Sequence, residues 1–159
     1  MTHARARQLL KATLQLLKAA GLEDRYTLIG GAAVNAYNSS RSINDIDILL
    51  GNERDVARLR PHLEEAGFHT ERFSRSAPTL LHRTGKVDVL DSSLDPVWER
   101  AWRERVPGIV LGIAAVVPTM EALVALKQLA SADPEQAGKA ERDLLLLAAV
   151  RRGKGRRTP

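Results

Sequence analysis

The sequence contains no cysteine and few aromatic residues. The absence of cysteine excludes a disulfide framework, a cysteine nucleophile and a cysteine-ligated zinc site, and it favours a reducing compartment. Aromatic residues make up 4% of the chain, so a core must be built from Leu, Val, Ile and Ala. No apolar run approaches the ~20 residues that span a bilayer. We therefore predict a cytoplasmic protein without a membrane segment.

Excess charge is missing from most of the chain. The net charge is +5, but five basic residues and no acid lie in residues 151–159. Subtracting those five from the 24 basic residues leaves 19, equal to the 19 acidic residues, so residues 1–150 are neutral. We predict one domain in residues 1–150 and a basic, poorly ordered tail in residues 151–159. A nucleic-acid-binding protein that works through this tail is one alternative.

Apolar periodicity predicts an alternation of helices and short strands. Helices are predicted over residues 3–20, 53–66, 119–131 and 134–150, with short helices ending at Tyr37 and over 95–103. Strands are predicted over residues 26–29, 45–50, 68–73, 79–83, 86–90 and within 108–117. Thr84-Gly85 is the predicted hairpin turn between the strands on either side. This order predicts an α+β fold with a mixed, partly antiparallel sheet flanked by helices.

Two aspartates alternate with isoleucines in the strand over residues 45–50. Because residues two apart in a strand point to the same face, Asp45 and Asp47 present their carboxylates together while Ile46 and Ile48 face the core. Asp88 is a third acid in an apolar strand, and an adjacent antiparallel strand would place it ~5 Å from its neighbour. Such carboxylates can bind one or two Mg²⁺. The alternative is three outward-facing charges, but Asp is depleted in strands.

A Gly-Gly turn precedes the aspartate strand. Gly30 and Gly31 follow a short apolar strand and open a helix, whose N-terminal N–H groups suit the triphosphate of an NTP. Arg41, four residues before Asp45, could contact a phosphate, and the alternative is a solvated loop charge.

Charged residues in the last two predicted helices leave further alternatives. Lys127 lies at the edge of a polar arc and either reaches a cleft to bind the nucleotide or remains at the surface. Lys139 and Asp143 are four residues apart and are better explained as a surface ion pair.

Trp98 and Trp102, in the short helix over residues 95–103, are also four residues apart, and packing is favoured over stacking on bases.

Together these motifs resemble the minimal nucleotidyltransferase domains of the DNA polymerase β-like superfamily, with the AbiEii-type toxin nucleotidyltransferases as the closest group. The resemblance is carried by Ile29-Gly30-Gly31-Ala32-Ala33, by Arg41-Ser42-Ile43-Asn44-Asp45-Ile46-Asp47 and by Asp88. It implies that Gly30 and Gly31 hold the phosphates, that Asp45 and Asp47 bind Mg²⁺, and that Asp88 completes the metal site and activates the acceptor. More weakly, the segment from Pro118 to Lys127 is similar to a family helix whose lysine approaches the active site. Lys139 and Asp143 resemble a later helical motif.

The sequence departs from the family pattern at two positions. Asn44 stands where Thr or Ser is common, and Ala140 stands where an acid is frequent. Neither change removes a metal ligand.

The resemblance implies transfer of a nucleoside monophosphate from an NTP to the hydroxyl of an RNA, a protein or a small molecule. The alternative is a non-catalytic subunit of this fold in a toxin–antitoxin or other two-protein pair. Few strands are available to shield the sheet edges, which leaves room for a homodimer or a partner protein.

Overall fold

The computed structural model describes residues 1–156, with side chains as far as residue 153. In chain order the elements are α1 (His3–Ala19), β1 (Tyr26–Ile29), α2 (Gly30–Tyr37), β2 (Ile46–Leu50), α3 (Glu53–Glu65), β3 (His69–Arg72), β4 (Thr79–His82), β5 (Gly85–Asp91), α4 (Pro96–Arg103), β6 (Arg105–Val110), β7 (Ile113–Pro118), α5 (Met120–Ser131) and α6 (Ala137–Arg156). Every predicted helix and strand is present, and the predicted α+β class is confirmed.

The main sheet has the strand order β1-β2-β5-β4-β3. The pairs β1–β2, β4–β5 and β3–β4 are antiparallel, whereas β2 and β5 are parallel. The predicted antiparallel neighbour for Asp88 within the carboxylate site is therefore wrong. Helix α3 and the β3–β4 segment cross over and return the chain to β5 in the direction of β2, as a parallel pair requires. Asp47 consequently lies directly opposite Asp88.

The core is aliphatic, as the low aromatic content predicts. Ile46 and Ile48 of β2 are fully buried, which confirms the predicted alternation along that strand. The largest fully buried side chains are Leu9, Leu10, Leu17, Leu22, Leu28, Ile46, Ile48, Leu49, Leu50, Leu59, Leu63 and Leu80. None of the helices within residues 1–156 is both long and apolar enough to cross a bilayer.

The predicted strand region 108–117 forms a separate two-stranded sheet. β6 and β7 are antiparallel and join through Leu111 and Gly112, whose φ angles of 51° and 76° are both left-handed. Positive φ at both central residues gives a hairpin turn that matches the twist of the strands. Tyr26 in β1 accepts the N–H of Val116 at 3.1 Å, which attaches this hairpin to the main sheet.

The last two helices lie next to the sheet and complete the site. α5 begins after Thr119, whose hydroxyl accepts the N–H of Ala122, so the predicted cap is confirmed. α6 begins at Ala137 rather than near Pro134, because Asp133 accepts the N–H of Glu135 in a turn. It also extends beyond the predicted end at Val150 to Arg156. The predicted tail of residues 151–159 is therefore helical to Arg156, and residues 157–159 lie outside the described residues.

Candidate active site

A cleft of about 890 Å³ opens between the main sheet, the start of α2, and helices α4, α5 and α6. Six of the seven predicted site residues line it, namely Gly30, Gly31, Asp45, Asp47, Asp88 and Lys127. The seventh, Arg41, lies behind the Gly30–Gly31 turn and lines a smaller cavity of about 210 Å³.

A row of side chains crosses the sheet at the floor of the cleft. Strand register places Asp47 opposite Asp88, Asp88 opposite Thr79, and Thr79 opposite Arg72. Directly paired residues in a sheet point to the same face, so these side chains share the cleft side. Asp45 lies two residues before Asp47 and lines the same cleft.

The side chains of Thr79 and Lys86 contact the two carboxylate oxygens of Asp88. The hydroxyl of Thr79, which is only 5% exposed, donates a short hydrogen bond to Asp88 Oδ1. Lys86 Nζ lies 3.8 Å from Asp88 Oδ2 and 3.6 Å from Asp45 Oδ2. We call Asp45, Asp47, Lys86 and Asp88 the front group. Thr79 and Lys86 were not among the predicted site residues.

The front group concentrates negative charge. Burial first, and then the nearby carboxylates of Asp88 and Asp45, raise the pKa of Asp47 to about 7, although the charge of Lys139 acts in the opposite direction. Partial burial of Lys86 lowers the pKa of its amine, but the charges of Asp88, Asp45 and Asp47 outweigh burial and raise that pKa overall. A cation placed among these carboxylates would relieve their mutual repulsion.

The donor set suits a hard divalent cation. Within the described residues, no group of three or more His, Cys, Asp or Glu side chains could hold a metal ion in its present arrangement. The three carboxylates nevertheless face one cleft, and carboxylate oxygens are the ligands that Mg²⁺ prefers. The residues present therefore fit a Mg²⁺ ion, which Asp45, Asp47 and Asp88 would hold.

The glycine turn brings the backbone against these carboxylates. Gly30 has a φ of +64°, and a Cβ at this position would overlap the Asp47 carboxylate. Only glycine avoids both the strained conformation and the overlap. α2 starts at Gly30, and the preceding Ile29 has no side-chain oxygen to cap the first N–H groups. The start of α2 can therefore donate N–H groups to an anion in the cleft.

A second set of charges meets the turn at Gly31. Asp143 of α6 is 1% exposed, and its Oδ1 accepts a hydrogen bond of 2.7 Å from Arg41 Nε. Its Oδ2 lies 2.9 Å from Lys127 Nζ. We call Arg41, Lys127 and Asp143 the rear cluster. Burial alone would raise the pKa of Asp143, but hydrogen bonds and charge from Arg41 and Lys127 lower it below its ordinary value.

The rear cluster supports the glycine turn. A Cβ at Gly31 would lie 3.0 Å from the Arg41 guanidinium, so that side chain lies directly against the turn. Arg41 also donates to the carbonyl of Ser42 in its own loop. The cluster thereby ties α5 and α6 to the segment between α2 and β2.

The predicted surface ion pair between Lys139 and Asp143 is wrong. Asp143 is buried, and its ion pairs within the described residues are with Arg41 and Lys127. Lys139 is exposed and lines the cleft instead. The sequence held a signal for this burial: Asp143 has helical spacing with Ala140 and Leu147, which are both buried.

The two tryptophans of α4 have different surroundings. Trp102 donates its indole N–H to the carbonyl of Arg25 at 3.1 Å and lies against Gly51, in agreement with the predicted packing role. Trp98 packs partly against the core, and it also lines the cleft.

Comparison with known proteins gives matches at the level of structure. No protein-family model and no curated protein matches the sequence. The antibiotic-resistance factor ANT(2'')-Ia is similar with a TM-score of 0.62 and 17% identity, over 93% of this chain and 92% of that one. The lincosamide antibiotic adenylyltransferase LnuA, in a lincomycin-bound structure, is similar with a TM-score of 0.61 and 17% identity, over 88% and 96%.

The chain has the nucleotidyltransferase fold. A nucleotidyltransferase-like antigenic protein of Paracoccidioides brasiliensis also shares it, with a TM-score of 0.55 and 18% identity over 86% of this chain and 74% of that one. The predicted nucleotidyltransferase fold is confirmed. The closer resemblance to AbiEii-type toxins stays a prediction.

Proposed function

We propose that this chain transfers a nucleoside monophosphate from an NTP to an acceptor hydroxyl and releases pyrophosphate. One observation carries the proposal: Asp47 and Asp88 are paired in register on parallel strands, beside Asp45 and against the Gly30 turn. Acidic residues at this density are costly in a structural role because each raises the energy of its neighbour's charge. A cation-binding function explains why they are brought together.

Different residues of the cleft would bind the triphosphate and the metal ion. The N–H groups at the start of α2 and the amine of Lys139 would bind the triphosphate. Asp45, Asp47 and Asp88 would hold Mg²⁺, which supplies positive charge to the triphosphate and to the leaving pyrophosphate. The rear cluster would keep the glycine turn in place, so we assign Arg41 a positioning role rather than its predicted contact with a phosphate.

Asp88 is the residue that would receive the proton of the acceptor hydroxyl. Its Oδ1 accepts the Thr79 hydroxyl, which orients the carboxylate and leaves Oδ2 on the side of Lys86. The acceptor oxygen forms a new bond to the α-phosphorus, and the bond from that phosphorus to the β-phosphate oxygen breaks. The hydroxyl proton passes to Asp88 and the electron pair leaves with pyrophosphate.

We favour a small-molecule hydroxyl over an RNA or protein hydroxyl as the acceptor. The similar structures include a lincosamide adenylyltransferase with bound lincomycin and ANT(2'')-Ia with adenylyl-2''-tobramycin. Residues 1–150 also carry equal numbers of acidic and basic residues, without the basic excess that RNA binding uses.

A labelling experiment tests the activity. The protein is incubated with Mg²⁺, each α-³²P-labelled NTP, and separate pools of aminoglycosides and lincosamides, total RNA, and extract proteins. We expect label in a small-molecule product with wild type and with Asp24→Asn, an exposed control, and no product with Asp45→Asn. Label in RNA or protein would reassign the acceptor. Absence of NTP binding, together with an unchanged phenotype for Asp45→Asn, would favour the non-catalytic two-protein alternative.

A further inference from the structure

The front group forms a square at the start of two adjacent parallel strands, with Asp45 one residue before β2. Asp47 lies opposite Asp88, and Asp45 and Lys86 each lie two residues earlier on the same chain segments. All four residues line the cleft. Three corners are carboxylates and the fourth is an amine.

The amine at the fourth corner contacts carboxylates that a second cation would need as ligands. Sites with two divalent ions hold them ~3.5–4 Å apart and share carboxylates between them. The Lys86 amine lies 3.6 Å from Asp45 and 3.8 Å from Asp88, so it already contacts two of the three acids. When a bound cation keeps all three carboxylates ionised, they and the single ammonium carry two net negative charges, which one divalent cation balances.

The other lysines of the cleft are placed differently. Lys127 is bonded to Asp143 in the rear cluster, with its side chain only 11% exposed. Lys139 is exposed on α6 and lines the cleft, where we assign it to the triphosphate. Lys86 is therefore the lysine whose ion pairs within the described residues are with the proposed metal ligands.

We propose that Lys86 limits the site to one divalent cation by taking the place of a second ion between Asp45 and Asp88. This inference rests on the proposed function, because it concerns the ion that accompanies the nucleotide. It assigns this chain a single-metal site in which a permanent protein charge replaces one of two ions.

The test counts bound ions. Mn²⁺ binding is measured by equilibrium dialysis with electron paramagnetic resonance, in the presence of saturating α,β-methylene analogues of each NTP. The variants are Lys86→Met, which removes the charge at nearly constant length, Lys86→Arg, which keeps it, and Lys18→Met, an exposed control on α1. Circular dichroism confirms that each variant is folded.

We expect one Mn²⁺ per chain for wild type, Lys86→Arg and Lys18→Met, and two for Lys86→Met. Two ions on wild type, or one ion on Lys86→Met, would overturn the inference while leaving the proposed function intact. Failure of wild type to bind Mn²⁺ with any of the analogues would contradict the proposed function and the inference together.

Discussion

The front group contacts the glycine turn at Gly30 and the rear cluster contacts it at Gly31, and the two sets hold their charges differently. In the rear cluster, Asp143 has partners at 2.7 and 2.9 Å, and the Arg41 and Lys127 side chains are each 11% exposed. In the front group, Lys86 and Asp45 are each 36% exposed and lie 3.6 Å apart. A buried charge without its partner costs several kcal/mol, whereas exposed pairs contribute little. The rear cluster is therefore a structural part of the fold, and the front group keeps its charges available for a ligand.

The largest effect is expected from Asp47→Asn in the front group. Removing this carboxylate takes away a proposed metal ligand and its charge, so nucleotidyl transfer falls by about 1,000-fold, as when a transition-state-stabilising group is lost. Single-turnover kinetics with the labelled NTP measure this. A loss below tenfold would place the metal elsewhere.

Stability provides the control for Asp47. Folded Asp47 keeps its proton up to about pH 7, while the unfolded chain loses it near 3.8. The free energy of unfolding of metal-free wild type should therefore fall as pH rises from about 4 to about 7. Asp47→Asn should lack that decrease. Urea titrations in EDTA compare the two, and identical pH profiles would contradict the raised pKa.

The second effect is a loss of stability from Asp143→Ala in the rear cluster. This change leaves Arg41 and Lys127 buried without their acid, and the free energy of unfolding should fall by about 3–5 kcal/mol. Chemical denaturation at pH 7 measures it.

The pH dependence of Asp143 has the opposite sign to that of Asp47. Its pKa is lowered in the folded protein, so its contribution is complete above its ordinary pKa of 3.8 and is lost as pH falls below that value. Asp143→Asn should lack this acid-dependent loss. A change of less than 1 kcal/mol at pH 7 would show that the rear cluster does not stabilise the fold.

The third effect concerns Thr79→Val, which removes the hydroxyl bonded to Asp88 and keeps the side-chain shape. Mn²⁺ affinity should fall by about 10- to 100-fold, as is typical when a partner of a metal ligand is removed. Thr79→Ser should restore most of it, because it keeps the donor. Equal affinities for the Val variant and wild type would show that Thr79 does not position Asp88.

The smallest effect separates Lys139 from Lys127, two of the three lysines that line the cleft. Lys139→Met should raise the KM for the NTP by about tenfold and change the free energy of unfolding by less than about 0.5 kcal/mol, as for an exposed residue. Lys127→Met should lower the free energy of unfolding by more than about 1 kcal/mol, because Asp143 loses a buried partner. Equal effects on stability would show that the buried Lys127 of the rear cluster is no more important to the fold than the exposed Lys139.

Local periodicity was sufficient to predict the front carboxylates. Because Asp45 and Asp47 alternate with isoleucines, the sequence alone indicates which side chains face the core and which face away from it. The Gly30-Gly31 pair indicates the position of the turn. The parallel pairing of β2 with β5 could not be read locally, because it depends on how α3 and the β3–β4 segment cross over. A parallel pair needs a long crossover connection, so its formation depends on residues outside the two strands.

Thr79 was not predicted as a partner of Asp88 because the hairpin turn between β4 and β5 was predicted one residue too late in the sequence. The predicted turn at Thr84-Gly85 would pair Arg83 with Lys86, whereas His82 pairs with Gly85 in the structure. Moving a hairpin turn by one residue shifts the pairing by two, so Asp88 would have faced Leu81 instead of Thr79. Asp143 was missed because its spacing from Lys139 suggested a surface pair, although its spacing from Ala140 and Leu147 indicated the buried side of the helix.

During protein synthesis, the bond between Arg41 and Asp143 can form only after the chain has been extended to Asp143. The two residues are 102 positions apart, and synthesis proceeds at about 5–20 residues per second. Arg41 therefore leaves the ribosome's catalytic centre about 5–20 s before its acid partner has been added. During that interval the guanidinium must remain hydrated, and the glycine turn lacks the support that it has in the finished molecule. Of the parts of this site, the Gly30 turn is made among the first and secured among the last.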